Sequence, residues 1–209
     1  MDPIVNRYFI INKPYQMVSQ FVSSEKVRLL GELNFTFPEG THAIGRLDNN
    51  SEGLLILTTD KRITRLLFES DTRHKRTYLV QAEKIMGAES LQQLRNGVAI
   101  RINNKPYTTL PCEVTVVQKP PALFSHLREF KNYLPQTWLH ITLTEGKFHQ
   151  IRKMLAGVGH DCKRLIRIAI ENLELGNLQP GEVLEMQAAN FFKLLLIENE
   201  TENDTGGCK

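Results

Sequence analysis

Along the chain, apolar positions gather in short blocks whose period changes from one block to the next. YFIIN (8–12) is a short apolar run with strand character, and GLLILTT (53–59) fits a strand covered on both faces. RTYLVQAEK (76–84), WLHITLTEG (138–146), HDCKRLIRIAI (160–170) and EVLEMQ (182–187) read as further strands, and WLHITLTEG alternates with period two. The segment 98–118 reads as a hairpin turning at Asn103-Asn104. Four helices are predicted: 23–33, with Ser23 or Ser24 as N-cap; 61–69, capped by Asp60; 88–97, ending on Gly97; and 148–160. Strands and helices mix without a βαβ rhythm, which predicts an α+β chain. The Pro- and aromatic-rich segment 119–136 reads as a surface insertion or a break. No repeat is present.

The helix FHQIRKMLAGVGH (148–160) carries a directional signal. At about 100° per residue, Ile151, Met154, Leu155 and Val158 form one stripe. Arg152 lies at its edge and Lys153 roughly opposite. Arg152 therefore either points into a site beside the core or snorkels along its flank.

Composition narrows the class. No apolar run approaches the ~20 residues of a membrane span, and the start MDPIVNRYFIINKP has no signal-peptide layout. Cys112, Cys162 and Cys208 are odd in number and far apart, so a disulfide framework or zinc site is not expected and a reducing cytoplasm is. The net charge is +3, but residues 198–209 hold four acids and one base, which leaves +6 on the rest. Lys61 to Arg76 carries six bases against two acids, and Lys147 to Arg167 six against one. Such patches suit a polyanion, although most Lys/Arg clusters are merely solvated faces. The polar, acidic segment 198–209 reads as disordered.

One carboxylate stands out. In HAIGRLDNNSEGLLILTTD (42–60), Asp48 lies between a Gly-Arg-Leu turn and an apolar strand. It is either a turn residue, as Asp before Asn-Asn-Ser often is, or a reactive group. Glu52 would supply a second carboxylate for glycoside hydrolysis, but the chain has one Trp and no evident sugar-binding aromatics. No phosphate-cradling glycine motif occurs. His149 and His160 lack metal-ligand spacing and read as surface or strand-end residues.

The same stretch resembles the GRLDxxSEGLLLLTND signature of the pseudouridine synthases that modify ribosomal RNA. Further matches follow in order: NKP (12–14), KRTYLV (75–80), EGKFHQIRKML (145–155) and, more weakly, RLIR (164–167). The resemblance implies the pseudouridine synthase fold, a mixed, mostly antiparallel sheet with flanking helices and a central cleft, over residues 1–197. It implies isomerisation of uridine in rRNA without metal or cofactor. Asp48 would be the catalytic carboxylate, Tyr78 would lie against the target base, and Arg152 would pair with Asp48. Arg46 would hold the place of the extruded nucleotide.

Lys13, Lys75, Arg76, Lys147, Gln150, Lys153 and Arg164 complete the expected RNA-binding set. NKP at residue 12 leaves no room for the S4-like domain that precedes many relatives. That feature, together with NKPYQMVSQF and TWLHITLTEG, looks closest to the E-type branch acting on large-subunit rRNA. A cytoplasmic monomer with no membrane or metal partner is expected. A non-catalytic RNA-binding or ribosome-assembly module on the same fold is the alternative.

Overall fold

The computed structural model describes residues 5–68, 72–125 and 135–199. Its frame is a nine-stranded sheet. In chain order the strands of this sheet are β1 (Tyr8–Lys13), β2 (His42–Ile44), β3 (Glu52–Thr58), β4 (Arg76–Glu83), β7 (Glu113–Val117), β8 (Gln136–Leu143), β9 (Cys162–Ile170), β10 (Leu173–Glu174) and β11 (Val183–Met186). A separate hairpin joins β5 (Ala99–Ile102) to β6 (Lys105–Thr108). The sheet order is β11-β1-β3-β9-β4-β8-β7, with β2 on β3 and β10 on β9. Around it lie the helices α1 (Arg62–Phe68), α2 (Ala88–Asn96), α3 (Gln150–Gly157) and α4 (Ala188–Leu195).

Most elements follow the hydrophobic pattern. Every residue of β3 is buried, as a strand covered on both faces requires. Asn103 and Asn104 both adopt positive φ, 48° and 62°, as a tight two-residue hairpin turn demands. Asp60 caps α1 by accepting the Arg62 backbone N–H at 3.0 Å. Segment 119–136 lies between β7 and β8, which pair with each other, so both its flanks belong to one sheet. Residues 126–134 of that segment, 69–71, and nearly all of the acidic end, Cys208 included, fall outside the described residues.

Two expectations fail. The helix predicted over 23–33 is only a 3-10 turn, Leu30–Glu32. Ser23 Oγ accepts the N–H of Glu25 in a local turn, and Arg28 and Leu30 are taken by backbone bonds with Val18 and Gln20. Tertiary backbone pairing here outweighs helix propensity. The sequence pattern does not predict helix α4, although Phe191, Phe192 and Leu195 show helical spacing and are buried in one apolar cluster with Tyr8, Ile10 and Ile56.

One junction holds the sheet together. β3 and β9 are the parallel neighbours among otherwise antiparallel pairs of the described residues, and they share just two register pairs, Glu52 with Ile166 and Gly53 with Arg167. Three features secure this seam. Glu52 accepts two hydrogen bonds from Arg164, at 2.8 and 3.0 Å, with both side chains buried. Arg167 Nε donates to the Leu54 carbonyl at 2.8 Å. Gly53, at φ 102°, lets the strands approach so closely that a Cβ there would sit 2.3 Å from the Arg167 carbonyl oxygen.

Breaking a buried ion pair leaves an uncompensated charge, which costs about 3–5 kcal/mol. Arg164→Met is therefore expected to lower the unfolding free energy by about that amount in urea titration, and Glu52→Leu with Arg164→Met together by much less. Equal losses in single and double variants would contradict a desolvated pair at the seam.

Candidate active site

A cleft of about 600 Å³ opens over the seam. One wall is the turn from Gly45 to Ser51, and the opposite wall runs from Leu143 to Ile151. Its floor is one face of the sheet. Arg76 and Tyr78, two apart in β4, lie on that face with Leu165 and Arg167, two apart in β9. Tyr78 and Arg167 are register partners across the two strands, beside a bulge.

Asp48 sits at the cleft edge, about a third exposed, in a turn closed by the Ser51 N–H donating to the Asp48 carbonyl at 2.9 Å. Backbone contacts fasten this turn from two sides. Ser19 Oγ donates to the Leu47 carbonyl and accepts the Leu47 N–H, both at 3.0 Å. The Gln16 N–H donates to the Asn49 carbonyl at 2.8 Å. From α3, Arg152 Nη2 donates to the Asn50 carbonyl at 2.6 Å. The carboxylate is thereby held by its own backbone.

The expected Arg152–Asp48 ion pair is replaced by this backbone tether. Arg152 reaches the Asp48 turn without lining the cleft: Nη1 and Nη2 donate to the carbonyls of Cys162 and Asn50, and its buried Nε has no partner. The side chain beside the Asp48 carboxylate is that of His149, whose Nε2 lies 3.6 Å from Oδ1. His149 was expected to be a surface residue. It instead precedes α3 in the left-handed region, at φ 54°, with its ring stacked on Phe148 at 4.0 Å. A non-glycine residue held there stores strain, which concentrates at functional sites. His160, by contrast, is buried, with Nδ1 against the Glu83 carbonyl at 2.8 Å.

The expected RNA-binding residues divide by burial. Arg46 and Lys147 are exposed at the cleft rim, and Lys147 lies over the Tyr107 ring. Lys153 faces away from the stripe, its ammonium 5.2 Å from the Phe148 ring centre. Lys75 is exposed and paired with Glu113. Arg76 is partly buried on the floor over the Phe68 ring, and burial lowers its pKa.

Three expected contacts are buried and already bonded within the protein, although Gln150 still lines the cleft. Arg164 is consumed by Glu52 inside the seam. Gln150 is buried, its amide oxygen accepting the Lys147 N–H and its nitrogen donating to Glu145, so it braces the loop before α3. Lys13 is fully buried, donating to the carbonyls of Met17 at 2.6 Å and Pro14 at 2.9 Å. It therefore shapes the 14–19 loop that fastens the Asp48 turn. Among the described residues no group of three His, Cys, Asp or Glu side chains is placed to hold a metal ion, and no helix is long and apolar enough to cross a membrane.

Sequence reasoning left Arg167 without a role. It is buried on the floor, and its Nη2 has no hydrogen-bond partner. Its only signal was its place in the RLIR match.

Residues 7–157 match the family model described as RNA pseudouridylate synthase. The ribosomal large subunit pseudouridine synthase E of Xanthomonas axonopodis pv. citri is 42% identical over 178 residues, 82% of this chain and 89% of that protein. The enzyme of the same name from Vibrio parahaemolyticus is 35% identical, over 87% of this chain and 74% of its own length. A crystal structure titled as a pseudouridylate synthase superposes with a TM-score of 0.74 at 23% identity, covering 91% of this chain and 74% of that one.

The buried Lys13 generates a pH prediction. Burial, opposed by Glu52 and Asp48, pushes its pKa down to about 7 from the usual 10.5. The unfolded chain then binds the proton more tightly than the folded one between these values. Stability rises with pH across that window, by at most about 1.4 kcal/mol per unit, and the full penalty is present below it. The urea midpoint is expected to rise more from pH 7 to pH 9 in the natural protein than in Lys13→Met. Parallel pH profiles for the two would contradict the assignment.

Proposed function

The chain belongs to the RNA pseudouridylate synthase family, and from that premise we propose that it isomerises uridine to pseudouridine in large-subunit ribosomal RNA, with Asp48 acting at the ribose. The observation that carries the reading is the cleft itself. It joins an ionisable carboxylate on a fastened turn to a tyrosine on the floor, with cations around both. A uridine in folded RNA must leave its stack to enter such a cleft. The exposed Arg46 and Lys147 at the rim suit the phosphates on either side of it, and Tyr78 offers a ring face to the base.

The chemistry is an internal exchange. The N1–C1′ bond breaks, the base turns, C5 bonds to C1′, the C5 proton is lost and N1 gains one. Asp48 serves it by adding to C1′ or by removing the C2′ proton, and either route needs the carboxylate ionised. Arg152 is a positioning residue, because it reaches the reaction only through the Asn50 carbonyl. Glycoside hydrolysis by an Asp48–Glu52 pair loses its second carboxylate, since Glu52 is buried against Arg164.

The protein is expected to release tritium from rRNA carrying 5-tritiated uridine, and Asp48→Asn to abolish release while leaving the melting temperature within a few degrees. Binding of rRNA without any release by the natural protein would instead favour the non-catalytic module. Arg152→Ala is expected to lower the single-turnover rate at least tenfold and Lys153→Ala less than threefold. Equal losses would count against the tether to the Asp48 turn.

A further inference from the structure

The floor of the cleft holds an unexplained pair of charges. Arg167 is 3% exposed, and the side chain lines the cleft. Its Nε is satisfied by the Leu54 carbonyl, yet its Nη2 is buried without a partner. Arg76, on the same face, likewise has a buried Nε without a partner, and the two guanidiniums are close enough to repel. A dry, unpaired N–H on a charged group is destabilising unless a ligand completes it. A purely structural anchor to Leu54 would not require the side chain to line a cleft.

Depth identifies the ligand chemistry. The nucleotide's phosphates stay with the RNA chain at the rim, where Arg46 and Lys147 are exposed. The base is the part that descends to the floor. Arg167 is the direct register partner of Tyr78, so a pyrimidine lying on Tyr78 presents its polar edge beside Arg167. When N1–C1′ breaks, the bond's electron pair stays with the base and spreads onto its two carbonyl oxygens. That charge persists until C5 bonds to C1′, and it arises whichever way Asp48 acts. A fixed cation in a dry site favours the charged stage over the neutral ground state.

We propose that Arg167 is a further catalytic residue of this site: it donates from Nη2 to a carbonyl oxygen of the bound uracil and stabilises the anionic base between cleavage and re-attachment. Arg76, on the same side of the floor, adds positive potential there. Because Nη2 is buried in the free protein, this contact requires a small local shift of the floor as the base enters. This inference rests on the function proposed above.

Single-turnover rates and RNA dissociation constants, measured for the natural protein and Arg167→Lys with fragments of large-subunit rRNA, test it. Arg167→Lys keeps the charge but loses the planar fork. The rate is expected to fall at least 100-fold, with the dissociation constant within threefold. RNA whose target uridine carries 2-thio or 4-thio substitution, a weaker acceptor, gives a second readout that needs no variant. One of the two is expected to slow the natural protein at least tenfold, and the same substitution to slow Arg167→Lys less than threefold.

A rate within threefold of the natural protein's, or a loss confined to RNA affinity, would overturn the role and indicate a phosphate contact or a structural one. So would thio-substitution that leaves the natural protein unaffected. A natural protein that forms no pseudouridine in any rRNA overturns the proposed function and this inference together. Normal turnover by an Arg167 variant overturns this inference alone.

Discussion

The parallel contact between β3 and β9 is the constraint on which the rest depends. On one side of it lie β11, β1, β2 and β3, and on the other β9, β4, β8 and β7. Asp48 belongs to the first side, and Tyr78 and Arg167 to the second. The cleft is assembled only where the two are held in register, and two residue pairs provide that register. Parallel pairing over so short a length is weak. The buried Glu52–Arg164 fork supplies direction where backbone hydrogen bonds are few. A buried ion pair seldom adds net stability over an apolar replacement. Its value here is geometric, because the fork allows one register, and the close passage at Gly53 forbids a side chain that would push the strands apart.

Asp48 is fixed on this frame by an indirect economy. A side-chain ion pair would engage the carboxylate itself. Tethering the backbone at Leu47, Asn49 and Asn50 leaves both carboxylate oxygens available. The tethers come from the 14–19 loop and from α3, so the turn is clamped between the two sides of the seam. Lys13 belongs to the same arrangement, since its ammonium gathers the carbonyls of Pro14 and Met17 and so sets the loop that supplies two of the tethers. Preorganisation of this kind is what electrostatic catalysis needs, because little reorganisation remains for the moment of reaction.

Local pattern made much of this legible. The strands, the Asn103-Asn104 turn, the cap at Asp60 and the apolar stripe of α3 follow from period and turn chemistry. The two readings of Asp48, turn residue and reactive group, prove compatible in geometry, because the turn is what presents the carboxylate. What stayed hidden depends on tertiary partners. Lys13, Gln150 and Arg164 have the composition of RNA contacts, and only their burial reveals them as braces. Arg152 was placed correctly by periodicity, but periodicity names a face and not a partner. His149 sits inside the most recognisable motif of the helix segment, yet its distance to Asp48 arises from a backbone conformation that composition does not encode. The helix expected over 23–33 lost to backbone pairing with residues 18 and 20, a choice made by the loop and not by propensity.

The charges of the cleft are graded by depth, and the grading follows from solvation. Exposed cations at the rim keep most of their hydration, so they attract RNA without straining the fold and weaken as salt rises. A guanidinium on the floor has lost that hydration and gains it back only from an acceptor that enters. The cost is carried in the free protein and returned in the complex, which makes the floor selective for a ligand that brings negative charge to that depth. Lys13 shows the limit of this arrangement. Burial, joined by Arg167 and Arg28 and opposed by Glu52 and Asp48, pushes its pKa down to about 7, so a lysine buried there is no longer a permanent cation at neutral pH.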